Sequence, residues 1–202
     1  MTYKHLLTAV GAALLLSASE AQATAILTVG NIPQPDENVL LNTGLTGNPI
    51  FGTTNQTGFA VRFSSDENLT APANGQARIE GADGLFTYLM IDVPNGTFES
   101  LIFNPDATAD GTIDFRVTTN TGVQLFNDYA LSGTGQNFFT FTTDAAQSLL
   151  SVEFVSDVAL ADVQQVRLGG AQVSVPDVAS TFSLLGFGLA GLAAARRRLA
   201  RR

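Results

Sequence analysis

The chain has no cysteine and no tryptophan, and its single histidine and single lysine, His5 and Lys4, both stand within the first five residues. Without thiols there is no disulfide and no thiolate metal site. Ser-His-Asp and Cys-His hydrolysis need an imidazole base, and zinc sites of the usual composition need His or Cys. Any product that has lost residue 5 can do neither. Positive charge is scarce as well. Residues 24–174 set Arg62, Arg78, Arg116 and Arg167 against sixteen Asp and Glu, a formal charge of −12, and five further arginines in the last seven positions, with Lys4, Glu20 and Asp177, bring the whole chain to −8. The acidic body lacks the basic footprint that nucleic acid requires, so no nucleic-acid partner is predicted.

At 202 residues the length fits one domain once removable ends are set aside. Lys4 and His5 precede the uncharged run LLTAVGAALLL, Leu6 to Leu16, and Ala21 and Ala23 flank Gln22 in the small-x-small form of a signal-peptidase site. Residues 1–23 read as a cleaved signal peptide that forms an N-terminal signal helix. An uncleaved anchor is the alternative, but eleven apolar residues fall short of the ~20 that a membrane-crossing helix needs.

GFGLAG, Gly186 to Gly191, has the G-x-G-x-x-G spacing of a dinucleotide-binding loop. That spacing carries meaning only between a strand and a helix, with an acidic residue ~20 positions further on. Eleven residues follow Gly191 and none is acidic, so the nucleotide reading fails. The glycines instead belong to eighteen uncharged residues, Val178 to Ala195, which as a helix would extend about 27 Å, close to the ~30 Å of a hydrocarbon core. Gly186 with Ala190, and Gly191 with Ala195, would permit close helix contact there. Arg196, Arg197, Arg198, Arg201 and Arg202 follow directly. Such a cluster resists translocation, which predicts a C-terminal transmembrane helix with a stop-transfer cap. A basic amphipathic tail is the alternative, but here the arginines follow the apolar run and are not interleaved on a helix face.

Upstream stands VPDVAST, Val175 to Thr181, including Pro176, Asp177, Ser180 and Thr181. A short Pro-containing motif, an apolar span and a terminal Arg cluster, in that order, resemble the PEP-CTERM family of protein-sorting tails, and Val-Pro-Asp is most similar to its VPDSG variant. Val178 and Ala179 stand where that variant has Ser-Gly. The resemblance implies an exosortase-type membrane protease as partner, cleavage near Val175, Pro176 and Asp177, and passage through the inner membrane to the cell surface or the extracellular matrix. Such proteins usually belong to Gram-negative bacteria that make exopolysaccharide.

Between these ends, residues 24–174 show short alternating runs and no long helical pattern. Phe59, Val61 and Phe63 alternate with polar or small neighbours; so do Ile113, Phe115 and Val117, and Leu150, Val152 and Phe154. Leu85 to Val93 is apolar on both faces and predicts a central strand, followed by a hairpin turn at Pro94 to Gly96. The phase change at Gly169-Gly170 predicts a β-bulge. The fold class is therefore all-β, a two-sheet antiparallel β-sandwich of jelly-roll kind with an irregular first third. Its predicted core holds Phe63, Phe86, Phe103, Phe115, Phe139, Phe141 and Phe154.

No catalytic residue is assigned. Paired carboxylates could serve a glycan hydrolase, but sixteen acids in one body form pairs in any fold. DATADGTIDFRV supplies the one calcium candidate: Asp106, Asp110 and Asp114 occupy positions 1, 5 and 9 of an EF-hand loop, with Val117 where the bidentate Glu belongs. A structural or interaction module is the first functional reading, and a carbohydrate module binding exopolysaccharide the second. Against the second, only Tyr88 and Tyr129 remain in the body for stacking, and their contexts suggest core or boundary positions. At physiological salt the body is expected to pass unretained over immobilised DNA, and retention there would overturn this reading of its charge.

Overall fold

The computed structural model describes residues 24–144 and 147–173, so segments 1–23 and 175–202 lie outside the described residues. The first half of the body forms β1 (Ala25–Val29), β2 (Glu37–Leu41), β3 (Thr46–Gly47), β4 (Ile50–Thr54), β5 (Ala60–Ser64), β6 (Leu69–Thr70), β7 (Gly75–Gln76) and β8 (Arg78–Gly81). Longer strands follow: β9 (Phe86–Asp92), the short β10 (Gly96–Thr97), β11 (Ser100–Ala107), β12 (Gly111–Thr119), β13 (Gly122–Leu131) and β14 (Phe139–Thr143). The last two are β15 (Leu149–Gly169) and β16 (Gln172–Val173). No helix occurs among the described residues. The body is all-β, and its long ladders are antiparallel.

The 21-residue β15 organises the rest. Its first limb lies between β12 and β9, so that Phe154 faces Phe115 on one side and Leu89 on the other. Its second limb pairs with β11 on one side and with β8 and β2 on the other. Pairing with β9 jumps from Val155↔Tyr88 to Leu160↔Phe86, and the residues between turn a corner. Polar side chains hold that corner: the Asp157 carboxylate accepts from the Thr112 N–H at 2.6 Å, and the Ser156 hydroxyl donates to the Val158 carbonyl at 2.6 Å. Such local side-chain bonds compete with regular pairing and favour a change of direction. The two limbs then return to one place, Leu149 bridging Phe98 and Gly169 pairing with Ser100. Where the alternation predicts two sheets, hydrogen bonding joins fourteen strands into one network, with β10 and β16 as a separate pair. A closed circuit runs from β15 through β2, β4, β5 and β9 back to β15.

Alternation places one set of side chains inside. Ile113, Phe115 and Val117 are buried while Asp114 and Arg116 are exposed. All seven predicted core phenylalanines are buried, and Phe98, absent from that prediction, joins them. Phe115 is the hub of their contact. Its ring centroid lies 4.8 Å from Phe139 and 5.1 Å from Phe141, both edge-on, while Phe103 stacks on Phe154 at 5.6 Å. Each fully buried ring contributes roughly 1.5–3 kcal/mol from removal of apolar surface, and each such pair ~0.5–1.5 kcal/mol more.

Three local expectations are corrected. Leu150 is 37% exposed and Leu149 is buried, because the β12–β15 register slips between Thr118↔Ser151 and Thr119↔Leu149. No bulge forms at Gly169-Gly170: β15 ends at Gly169, Gly170 turns with φ +64°, and the chain re-enters pairing as β16 against β10. Pro94-Asn95 does make a β-turn, with the Gly96 N–H on the Val93 carbonyl at 3.0 Å, but it joins different ladders and closes no hairpin. The bulges lie elsewhere, one between β11 and β15 where Gln165 has φ 57°.

The two ends of the body come out side by side. Ala25 pairs with Thr143 at the end of β14, and Ser100 of β11 pairs with both Thr142 and Gly169. Three inter-strand spacings, ~14 Å, therefore separate the start of β1 from the end of β15.

A buried amide pair fixes the approach to β14. Asn137, 6% exposed, accepts from the Ser132 N–H at 2.8 Å and donates to the carbonyls of Ser132 at 2.9 Å and Pro105 at 3.1 Å. Its own N–H donates to Asn104 Oδ1 at 2.7 Å. Asn137→Ala is expected to cost about 2–4 kcal/mol, since it removes three side-chain bonds and strands their buried partners. Urea unfolding at equilibrium checks this, as a lowered midpoint at unchanged slope.

Candidate functional site

Residues that alternate away from the core on β9, β12, β13 and the first limb of β15 line up across the strands. In one row Leu125 faces Arg116, Arg116 faces Glu153, and Glu153 faces Met90. In the next, Asp114 faces Val155 and Val155 faces Tyr88. Between these rows lies an open concavity of about 160 Å³, lined by Tyr88, Asp114, Arg116, Leu125, Asn127, Glu153 and Val155, with Phe115 and Phe154 beneath.

Its polar groups hold one another. Glu153 accepts from Arg116 Nη1 at 3.2 Å, and from the Tyr88 hydroxyl at 3.4 Å. Burial first, and then the charge and hydrogen bond of Glu153, keep the Tyr88 phenol above its ordinary value, while Arg116 acts in the opposite direction. Asp114 Oδ1 accepts from the Asp128 N–H at 2.7 Å. That N–H is presented by a bulge: Ile113 pairs with Tyr129 but Phe115 with Phe126, and Asp128 takes φ 61°. The extra residue brings Asn127 to the rim. Apolar lips complete the concavity, with Leu125 66% and Val155 54% exposed.

Every arginine among the described residues is in an ion pair. Arg62 pairs with Asp92, Arg78 with Glu80 and Asp162, Arg116 with Glu153, and Arg167 with Asp36. The more exposed of these, such as Arg116 with Glu153, contribute only ~0–1 kcal/mol, and together the pairs leave no arginine among the described residues without a carboxylate partner. Asp162 is the most enclosed acid, 1% exposed, with Arg78 Nε 2.7 Å from Oδ2 and no partner on Oδ1. Burial raises its proton affinity against the pull of Arg78.

The calcium candidates take separate tasks. Asp106 faces Asp162 across the β11–β15 ladder, Asp110 accepts from the Gly133 N–H at 2.9 Å, and Asp114 caps the bulge. Among the described residues no group of three or more His, Cys, Asp or Glu could hold a metal. Ala21 and Ala23, the motif residues Val175, Pro176, Asp177, Ser180 and Thr181, and the arginines 196–198, 201 and 202 lie outside the described residues. Tyr129 is a boundary residue, half-buried with its ring edge-on to Phe115 at 5.9 Å. Tyr88, by contrast, opens on the concavity.

Residues 174–199 match the family model of the VPDSG-CTERM motif, so the chain ends in a sorting tail of PEP-CTERM-like kind. A tail of this kind indicates an exported protein that reaches the cell surface. No curated protein matches the chain. Among solved structures it is similar to CBM29_1, a family 29 carbohydrate-binding module from Piromyces equi, at 11% identity over 77% of this chain and 95% of that one, with a TM-score of 0.29. It is also similar to a tyrosine-to-alanine mutant of CBM29-2, at 14% identity over 74% of this chain and 91% of that one, with a TM-score of 0.25. Both scores lie below the level at which two chains share a fold.

Because the folded state holds the Tyr88 proton more tightly, it gains stability from that proton below the ordinary phenol value and loses the gain as pH rises through the raised one. Phenolate absorbance followed against pH is expected to show a late-titrating component that Tyr88→Phe abolishes. Survival of that component in the variant would place the perturbed phenol elsewhere.

Proposed function

We propose that the chain is an exported surface or matrix protein whose β-rich body acts by binding or scaffolding and not by catalysis. The observation that carries this reading is the VPDSG-CTERM motif at residues 174–199, adjoining the end of the folded body at Val173. In this reading residues 1–23 direct export and are removed after Ala23. The uncharged run from Val178 to Ala195 then crosses the inner membrane, with Arg196 to Arg202 held on the cytoplasmic side. An exosortase-type protease processes the tail around Val175, Pro176 and Asp177. The body between is read as a two-layered sandwich, supported by the alternating burial along β12 and by the return of β15 on itself.

A second reading, binding of exopolysaccharide, is favoured by the open concavity, where hydrogen-bonding groups lie between apolar lips. Hydrolysis of glycans is disfavoured. Glu153 is ion-paired with Arg116 and Asp114 Oδ1 holds the Asp128 N–H, so both carboxylates of the concavity are engaged within the body. Nucleic acid is disfavoured by the pairing of every arginine among the described residues.

Mass spectrometry of the protein recovered from envelope and medium tests the first reading. Thr24 is expected as the new N-terminus, with the C-terminus upstream of Arg196. A mature species that retains RRRLARR would overturn processing at the tail.

A further inference from the structure

The concavity between β9, β12, β13 and the first limb of β15 has properties that select a ligand class. Arg116 and Glu153 stand side by side as fixed donor and acceptor, 3.2 Å apart. A guanidinium has five N–H donors, and the bonds to Glu153 come from one nitrogen, so further donors remain for a ligand. Adjacent hydroxyls that both give and accept hydrogen bonds match such a pair. Leu125 and Val155 offer apolar contact on either side, which suits the C–H face of a saturated ring, and the Asn127 amide adds a donor and an acceptor at the rim. These are the complements of a polyhydroxylated chain.

Charge narrows the class. Of the sixteen body carboxylates, five are paired with arginine among the described residues, namely Asp36, Glu80, Asp92, Glu153 and Asp162, and eleven have no such partner there. No arginine among the described residues is left over for an anion, and a uronate or sulfated chain would approach a body of net charge −12 with nothing to neutralise it. Nor is Asp114 a bare carboxylate waiting for an amine, because Oδ1 already holds the Asp128 N–H. The volume, about 160 Å³, is below the ~300–1,000 Å³ of enclosed small-molecule pockets, so the contact suits part of a long chain crossing the open face.

We propose that this concavity is a binding site for an uncharged polysaccharide, with Arg116 and Glu153 as the hydrogen-bonding pair and Leu125 and Val155 as the apolar walls. The proposal rests on the exopolysaccharide reading above. It assigns that reading a place on the molecule and a ligand charge.

Affinity electrophoresis of the secreted protein tests it, in gels containing an uncharged glycan (a β-glucan, a mannan or a galactomannan), an anionic one (alginate) or a cationic one (a chitosan), each at low and high salt. Retardation by at least one uncharged glycan, insensitive to salt, is expected. Arg116→Ala and Leu125→Asp should each weaken it about tenfold or more. Leu85→Ser, at an exposed position outside the concavity, should leave it unchanged. Leu125 is well exposed, so its variant keeps the fold, and unchanged urea midpoints confirm this for each protein. Retardation by uncharged glycans that survives both variants would overturn the site and leave the reading standing. Retardation by none of the glycans would overturn the reading itself. A salt-sensitive preference for the anionic or cationic glycan that Arg116→Ala and Leu125→Asp both abolish would overturn the charge assignment.

Discussion

Packing of phenylalanine rings between the two limbs of β15 is the constraint on which the rest depends. Phe154 comes from the first limb, Phe103 from the strand paired with the second, and the two rings stack at 5.6 Å. Phe115 meets both rings edge-on at 6.2 Å, Phe141 stacks on Phe103 at 6.1 Å, and Phe139 lies tilted against Phe103 at 6.2 Å. This contact can form only if β15 turns back on itself, so the corner from Ser156 to Ala159 and the apolar interior require each other. The outer face inherits its geometry from that arrangement. Tyr88, Arg116 and Glu153 hold their register because the side chains next to them along each strand are locked in the core.

Much of this was legible in the residues. Alternation along GTIDFRVTT identified the inner face of β12, the run LFTYLMIDV, apolar on both faces, identified β9 as a central strand, and the aromatic content of the body identified its core. What could not be read was register. Arg116 and Glu153 each stand on the wet side of a run that reads as a strand, and Tyr88 lies in a run apolar on both faces, but nothing in the sequence aligns residue 116 with 153 or 153 with 88. That alignment comes from pairing over separations of 37 and 65 residues. The misjudged places share a cause. Leu150 follows the period of its own strand but sits at a slip in pairing with the neighbour, and Gly169-Gly170 changes phase because the chain leaves one ladder for another. One-dimensional periodicity contains no term for the partner strand.

The charge pattern has a second effect beside ligand choice. With all body arginines in pairs, the body keeps its formal charge of −12, and such a net charge opposes close approach of like copies. Among the described residues β13 pairs with β12 alone and exposes Val123 and Leu125, features that in a neutral protein would invite edge-to-edge association. The bulge at Asp128 interrupts that edge and adds charge to it.

Both ends of the body leave from the same side, Ala25 at the start of the edge strand β1 and Gly169 at the end of a limb flanked on both sides. The two ends would resist tension unequally. A pull at Ala25 peels one edge strand from one neighbour, whereas a pull through Val173 must part β16 from β10 and then tear the second limb of β15 from the strands on both of its sides.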